Sequence, residues 1–215
     1  MSYAPQRTRR REQRENTRRE ILAAADRLLR ERPYRELSVD LLMAQTDLTR
    51  TAFYRHFDDV PDLVLRLLAD VGRELYAVGE RWREGLERDH VAAAREGLRG
   101  IVQFMVRNGK LVRAVAEGAA TDELIERGYQ QYLEAFTELI AAGLEELGAR
   151  SHVDVGDTRA LARALNLMNE SFLLDQFGKD PQGDPEVALA TLETIWLRVL
   201  APRTHENRHA AAARR

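Results

Sequence analysis

Within the stretch SVDLLMAQTDLTRTAFYRHF, residues 38–57, the side chains of Arg50, Thr51, Tyr54, Arg55 and His56 are expected on one outward surface of a short helix, opposite Phe53 and Phe57. Guanidinium, hydroxyl and imidazole donors on a helix whose other side is aromatic suit entry into the major groove of a nucleic acid, with phosphate contacts at the edges. Arg50, Thr51 and Ala52 stand at the start of that helix, where base edges are read, and Tyr54, His56, Ser38 and Thr49 fall where phosphates run.

Two helix starts must position these groups. Ser38 and Thr49 each precede a helix-compatible run and can offer a side-chain oxygen to the free amides of a first turn. Between them Thr46-Asp47-Leu48 must turn the chain, and Asp47 is the expected pivot because it tolerates a left-handed backbone and bonds its own local amides. Phe53 and Phe57, at i and i+4, are expected to pack inward with Leu48, Val39 and Leu42.

With the string TAFYRHF at its centre, the segment 17–67 resembles the DNA-binding domain of TetR-family transcriptional regulators. The resemblance implies a first helix, over about 17–32 with Ile21, Leu22, Ala25, Leu28 and Leu29 on its apolar side, and a long fourth helix leading to a regulatory domain. Several positions depart from the family pattern. Asp47 replaces a usual glycine and Leu48 a frequent valine, while Met43 stands where alanine is usual, so the helix crossing must hold extra bulk. After Phe57, Asp58-Asp59-Val60 takes the place of a proline-serine-lysine run, which removes one cation and adds two anions, so affinity should lean more on the N-terminal arm.

That arm is strongly basic. Seven arginines, among them Arg9, Arg10 and Arg11, oppose Glu12 and Glu15 within residues 1–19, a net of plus five. Such a composition is expected to be disordered until bound, and to lie along phosphates or insert arginine into a minor groove. A solubilising tail would have the same composition. The whole chain of 215 residues is formally minus two, and since residues 1–60 and 203–215 are both net positive, the middle carries about minus eight. Only the first segment is built for phosphate.

The composition excludes several chemistries. With no cysteine there is no disulfide, thiolate metal site or cysteine nucleophile, which fits a reducing cytoplasm. The five histidines, His56, His90, His152, His205 and His209, form no metal-spaced pair on a helix, and there is no Gly-rich phosphate loop or serine elbow, so neither an enzyme nor a cofactor or metal is expected. No run approaches the ~20 apolar residues of a membrane span, which predicts a soluble, cytoplasmic protein without membrane contact. A helical interaction protein whose arm binds membrane or protein remains the alternative, as does an activator of the same family.

Beyond residue 58 every long segment has helical periodicity. The pattern predicts helices over 59–87, 91–107, 110–118, 121–147, 158–177 and 185–200, broken at Asn108-Gly109, 148–156 and 178–184. Asp184 is expected to cap the last helix with Pro185 at its first position. Those last two helices hold more apolar face than one monomer covers, and in the TetR family the corresponding pair forms a four-helix bundle with a second subunit. ALNLMNE, residues 164–170, resembles the penultimate helix of the ethionamide-regulator (EthR-like) branch, whose asparagines line an effector pocket. The resemblance implies that Asn166 and Asn169, with Tyr129, Tyr132, Phe136, Phe104 and Trp196, receive an apolar small molecule. By spacing alone the aromatic stripe reads equally as plain core, and the asparagines equally as a helix-to-helix hydrogen bond.

The resulting expectation is an all-α chain: a basic arm over 1–16, a three-helix helix-turn-helix domain over 17–60, a long helix leading into a helical ligand-binding and dimerisation domain over 61–202, and a disordered tail over 203–215. Its expected partners are a double-stranded DNA operator, an apolar effector and a second copy of itself.

Overall fold

The computed structural model describes residues 4–151 and 157–200. Among them every regular element is helical: α1 Ala4–Glu31, a 3-10 turn Tyr34–Glu36, α2 Val39–Met43, α3 Arg50–Tyr54, α4 Val60–Gly85, α5 His90–Ala119, α6 Glu123–Ser151, α7 Thr158–Phe177 and α8 Pro185–Leu200. The tail over 203–215 and residues 152–156 of the second predicted break lie outside the described residues, while the start of that break, 148–151, is helical as the end of α6.

Two expectations are corrected. The arm is not a separate flexible segment, because α1 begins at Ala4, thirteen residues before position 17. Arginine, glutamine and glutamate are all good helix formers and Pro5 falls in the first turn, where its missing N–H costs nothing, so local propensity outweighs the polar composition. Glu15 pairs with Arg18 at 3.8 Å, and Asn16 accepts a hydrogen bond from Arg19 at 3.0 Å, along that helix. The second correction is at Asn108-Gly109, where α5 runs unbroken. A Cβ on Gly109 would stand 2.5 Å from the carbonyl oxygen of Phe177, so this glycine serves the close approach of α5 to the end of α7 instead of breaking the helix.

The chain divides into two compact units. The first joins the described residues up to Gly72 with Lys110–Gln130. Its buried residues include Ile21, Leu22, Ala25, Leu28 and Leu29 of α1, Leu42 and Met43 of α2, Phe53 and Phe57, Leu63, Val64, Leu67 and Leu68 of α4, Leu111 and Val115 of α5, and Ile125 and Tyr129 of α6. The 3-10 turn is held to the α5–α6 corner: Tyr34 donates its hydroxyl to Asp122 at 2.9 Å, and its ring lies where a Cβ on Gly118 would fall. Asp122 in turn accepts the amides of Leu124 and Ile125, capping α6.

The second unit holds Arg73–Gly109 and the described residues from Gln131 onward. Trp82 of α4, Phe104 of α5, Phe136 and Leu144 of α6, Leu173 and Phe177 of α7, and Leu192 and Trp196 of α8 form its core. Asp157 caps α7 by accepting the Ala160 amide at 2.9 Å, and Asp184 caps α8 by accepting that of Glu186 at 2.8 Å, as the Asp-Pro sequence predicts.

Candidate nucleic-acid interface

Both caps form as expected. The Ser38 hydroxyl oxygen accepts the Leu41 amide at 3.2 Å, and that of Thr49 accepts the Ala52 amide at 3.3 Å. Each cap uses an acceptor lone pair and leaves the O–H donor of the hydroxyl outside the cap. Between the helices Thr46 fastens the turn, donating its hydroxyl to the Met43 carbonyl at 3.2 Å and accepting the Leu48 amide at the same distance. The fastening residue thus stands one position before the expected pivot Asp47. A threonine at a turn is a recognised local bonder, which is the signal that would have found it.

Phe53 and Phe57 are fully buried, with ring centroids 5.5 Å apart, beside buried Leu42 and Met43, while Val39 and Leu48 are half-buried. This aromatic anchor sets the outward face of α3. Arg50, Thr51, Tyr54 and Arg55 are exposed, Ala52 and His56 half-buried, and Tyr54 stands edge-on to Phe53 at 5.3 Å. Arg50 Nη1 donates to Asp40 Oδ1 at 2.6 Å across the turn. Hydrogen bonds with Tyr54 and Asp40 push the Arg50 pKa up from its ordinary value. Asp40 therefore orients the arginine at the start of the reading helix, a role not visible in the spacing.

Arg9, Arg10 and Arg11 are exposed on α1. The aspartates after Phe57 also have a structural role: Asp59 Oδ1 accepts the Asp62 amide at 2.8 Å, and Asp62 Oδ2 accepts the Asp58 amide at 3.2 Å, so they cap α4 reciprocally. Arg66, one turn further along α4, pairs with Asp62 at 2.9 Å and lies over the Phe57 ring at 6.0 Å. It places a cation at the edge where the sequence lacks one.

In the second unit the two asparagines are bonded to protein. Asn166 donates from its amide to the Leu133 carbonyl at 2.8 Å and to Thr137 Oγ1 at 3.2 Å, and Asn169 accepts the Trp196 indole N–H at 3.0 Å. Helix-to-helix bonding is thus the arrangement these amides adopt here, and among the described residues no buried side-chain nitrogen or oxygen is without a partner. Tyr132 stands T-shaped on Phe136 at 4.9 Å, and its phenol pKa is pushed up by burial first and by Glu170 second. Phe104 is buried in this unit as well, whereas Tyr129 is a buried residue of the first unit. Trp82 meets Trp196 edge-on at 5.9 Å and lines a groove of about 250 Å³ with Val78, Arg81, Arg99 and Gln103.

A capped and fastened helix pair with donors facing outward, buttressed by α1 and followed by a helical unit, defines a helix-turn-helix DNA-binding regulator. Comparison with known proteins agrees. Residues 21–67 match the profile of bacterial regulatory proteins of the tetR family, and residues 94–200 that of the C-terminal domain of the transcriptional regulator EthR. The chain belongs to the TetR family of transcriptional regulators and is EthR-like in its regulatory half. It is 31% identical over 186 residues to the HTH-type transcriptional regulator EthR of Mycobacterium tuberculosis, covering 82% of this chain and 83% of that one. Among solved structures, a TetR-family regulator from Syntrophomonas wolfei superposes with a TM-score of 0.75 at 17% identity, over 89% of this chain and 98% of that one. NalD, the secondary repressor of the MexAB-OprM multidrug efflux pump in Pseudomonas aeruginosa, does so with a TM-score of 0.66 at 23% identity, over 86% and 97%.

Proposed function

We propose that the protein is a homodimeric repressor acting on cytoplasmic DNA, which binds a pseudo-palindromic operator through α3 and is released by an apolar small molecule. The fastened α2–α3 pair with its Asp40-oriented Arg50 is the observation that carries the DNA reading. Arg50, Thr51 and Ala52 meet base edges; Ser38, Thr49, Tyr54, Arg55 and His56 meet phosphates, with Arg9, Arg10 and Arg11 extending the basic surface along α1. The repressor assignment takes its support from NalD, a fold relative that is itself a repressor.

A fluorescence titration against the chain's own upstream intergenic DNA, repeated at several salt concentrations, tests this. Sequence-selective binding with a steep salt slope is expected. Arg50→Ala should cost ~1–3 kcal/mol and relax base preference. Tyr54→Phe and His56→Ala should weaken all sites alike. Asp40→Ala should blur base preference without changing the salt slope, because it removes no phosphate contact. Unchanged preference in Arg50→Ala would overturn the assignment of base reading to this residue.

The dimer reading rests on the outer faces of α7 and α8. Ala164, Leu167 and Ser171, and Val187, Ala190 and Thr194, are small or apolar and exposed at helical spacing, with Val187 62% accessible. A two-fold pairing of these faces would set two reading helices on one DNA face. Leu167→Glu combined with Val187→Glu is expected to sediment as a monomer with operator affinity sharply reduced; a dimer unchanged by both would place the interface elsewhere.

For the effector, the contacts running from the Trp82 groove through Trp196 to Asn169 offer a route by which a ligand could disturb the buried amides. The chain's two tryptophans, Trp82 and Trp196, are natural reporters. Small aromatic amides that release DNA should also change their emission.

A further inference from the structure

A cleft of about 320 Å³ in the first unit is lined by Arg11, Arg14, Glu15 and Arg18 of α1, His56 after α3 and Arg66 of α4. Four guanidinium groups and one carboxylate surround a half-buried imidazole. Glu15 is engaged by Arg18 at 3.8 Å, and Arg66 is steered by Asp62 at 2.9 Å, while Arg11 and Arg14 have no carboxylate partner among the described residues. A cavity lined by excess cations from two separate helices attracts an anion, and the adjoining α3 offers its donors to DNA.

We propose that this cleft grips one phosphodiester of the DNA backbone, with Arg14, Arg18 and Arg66 closing on it from α1 and α4, and that His56 takes up a proton as the phosphate arrives. The proposal rests on the DNA-binding reading above and adds to it a defined phosphate seat and a proton linkage. It also explains how the edge beyond Phe57 binds DNA without a lysine there: Arg66 supplies the cation from one turn into α4, while the Asp59 and Asp62 carboxylates are occupied in capping it.

The electrostatics set the direction. His56 shares the cleft with Arg11, Arg14, Arg18 and Glu15 of α1 and Arg66 of α4; Arg66 carries its partner Asp62, and Arg55, Asp58 and Asp59 are the charged neighbours of His56 along the chain. Burial first, and then the charges of Arg14 and Arg18, hold its imidazole below the ordinary range, with Glu15 opposing, so the free protein favours the neutral imidazole. A phosphodiester seated among these groups cancels the repulsion and favours imidazolium, which gains a charge-assisted hydrogen bond. Between the free and bound titration points, DNA binding therefore consumes a proton, and affinity rises as pH falls until the free histidine is itself protonated.

Because phosphate contact is independent of sequence, any short fluorescein-labelled duplex serves as the probe. Wild-type affinity is expected to be roughly three- to tenfold weaker at about pH 8 than at about pH 6, since one linked proton permits at most about tenfold per pH unit. His56→Gln should bind the duplex with a flatter pH profile. The His56 imidazole resonance, identified by its loss in that variant, should titrate at higher pH with the duplex than without it. Arg14→Gln should raise the free-protein titration point, and Arg66→Gln should lower the salt slope by about one. Equal pH profiles for wild type and His56→Gln, or a His56 titration unmoved by DNA, would overturn the proposal while duplex binding itself persists; absence of duplex binding at any pH would overturn the DNA reading and this inference together.

Discussion

Phe53→Ala is expected to abolish duplex binding and to cost the first unit about 3–5 kcal/mol of stability. Phe53 is fully buried, touches the Phe57 ring and the edge of Tyr54, and lies directly beneath the surface that carries Arg50 and Thr51. Helix α3 has only five residues, Arg50–Tyr54, too few to hold itself by its own hydrogen bonds. Its orientation therefore depends on the aromatic anchor and the Thr49 cap. Phe53→Leu keeps most of the volume and should retain binding with a loss of roughly 1–2 kcal/mol. Chemical denaturation followed by circular dichroism, alongside the duplex titration, separates the two variants. Wild-type affinity in Phe53→Ala would show that α3 is positioned by something other than its buried ring.

The other large effect belongs to Trp196. Trp196→Ala removes a side chain that is 4% exposed, loses the edge contact with Trp82 and leaves the Asn169 carbonyl without its donor, so about 3–5 kcal/mol should be lost from the second unit. Trp196→Phe restores most of the packing but not the indole N–H, and about 1–3 kcal/mol should remain lost through the unpaired amide. Adding Asn169→Leu to Trp196→Phe removes both polar partners and should recover part of that loss, as thermal unfolding would show. If Trp196→Phe were as stable as wild type, the Asn169 bond would be dispensable, which would favour a carboxamide kept for a ligand.

These variants mark what could be read in advance. Ser38, Thr49, Asp184 and Pro185 announced their helix starts because capping is a local event, decided by a side-chain oxygen and the amides two or three residues on. Phe53 and Phe57 announced the inward face of α3 because their spacing matches the helical period. The bounds of α7 and α8 were legible for the same reasons. Gly109 was misread because glycine breaks helices in isolation, whereas here it admits the Phe177 carbonyl, a neighbour 68 positions away along the chain. The arm is helical despite its charge because arginine, glutamine and glutamate are good helix formers.

By itself the sequence determined an all-α chain with a capped reading head, a basic start and a helical regulatory half, since periodicity, caps and charge act over a few residues. Only the tertiary structure decided that Asp40 orients Arg50, that Arg66 reaches the cleft around His56, and that Asn166 and Asn169 bond to Leu133, Thr137 and Trp196. Each of those pairings joins separate helices, and which partners meet depends on how the helices cross, a quantity no local pattern encodes.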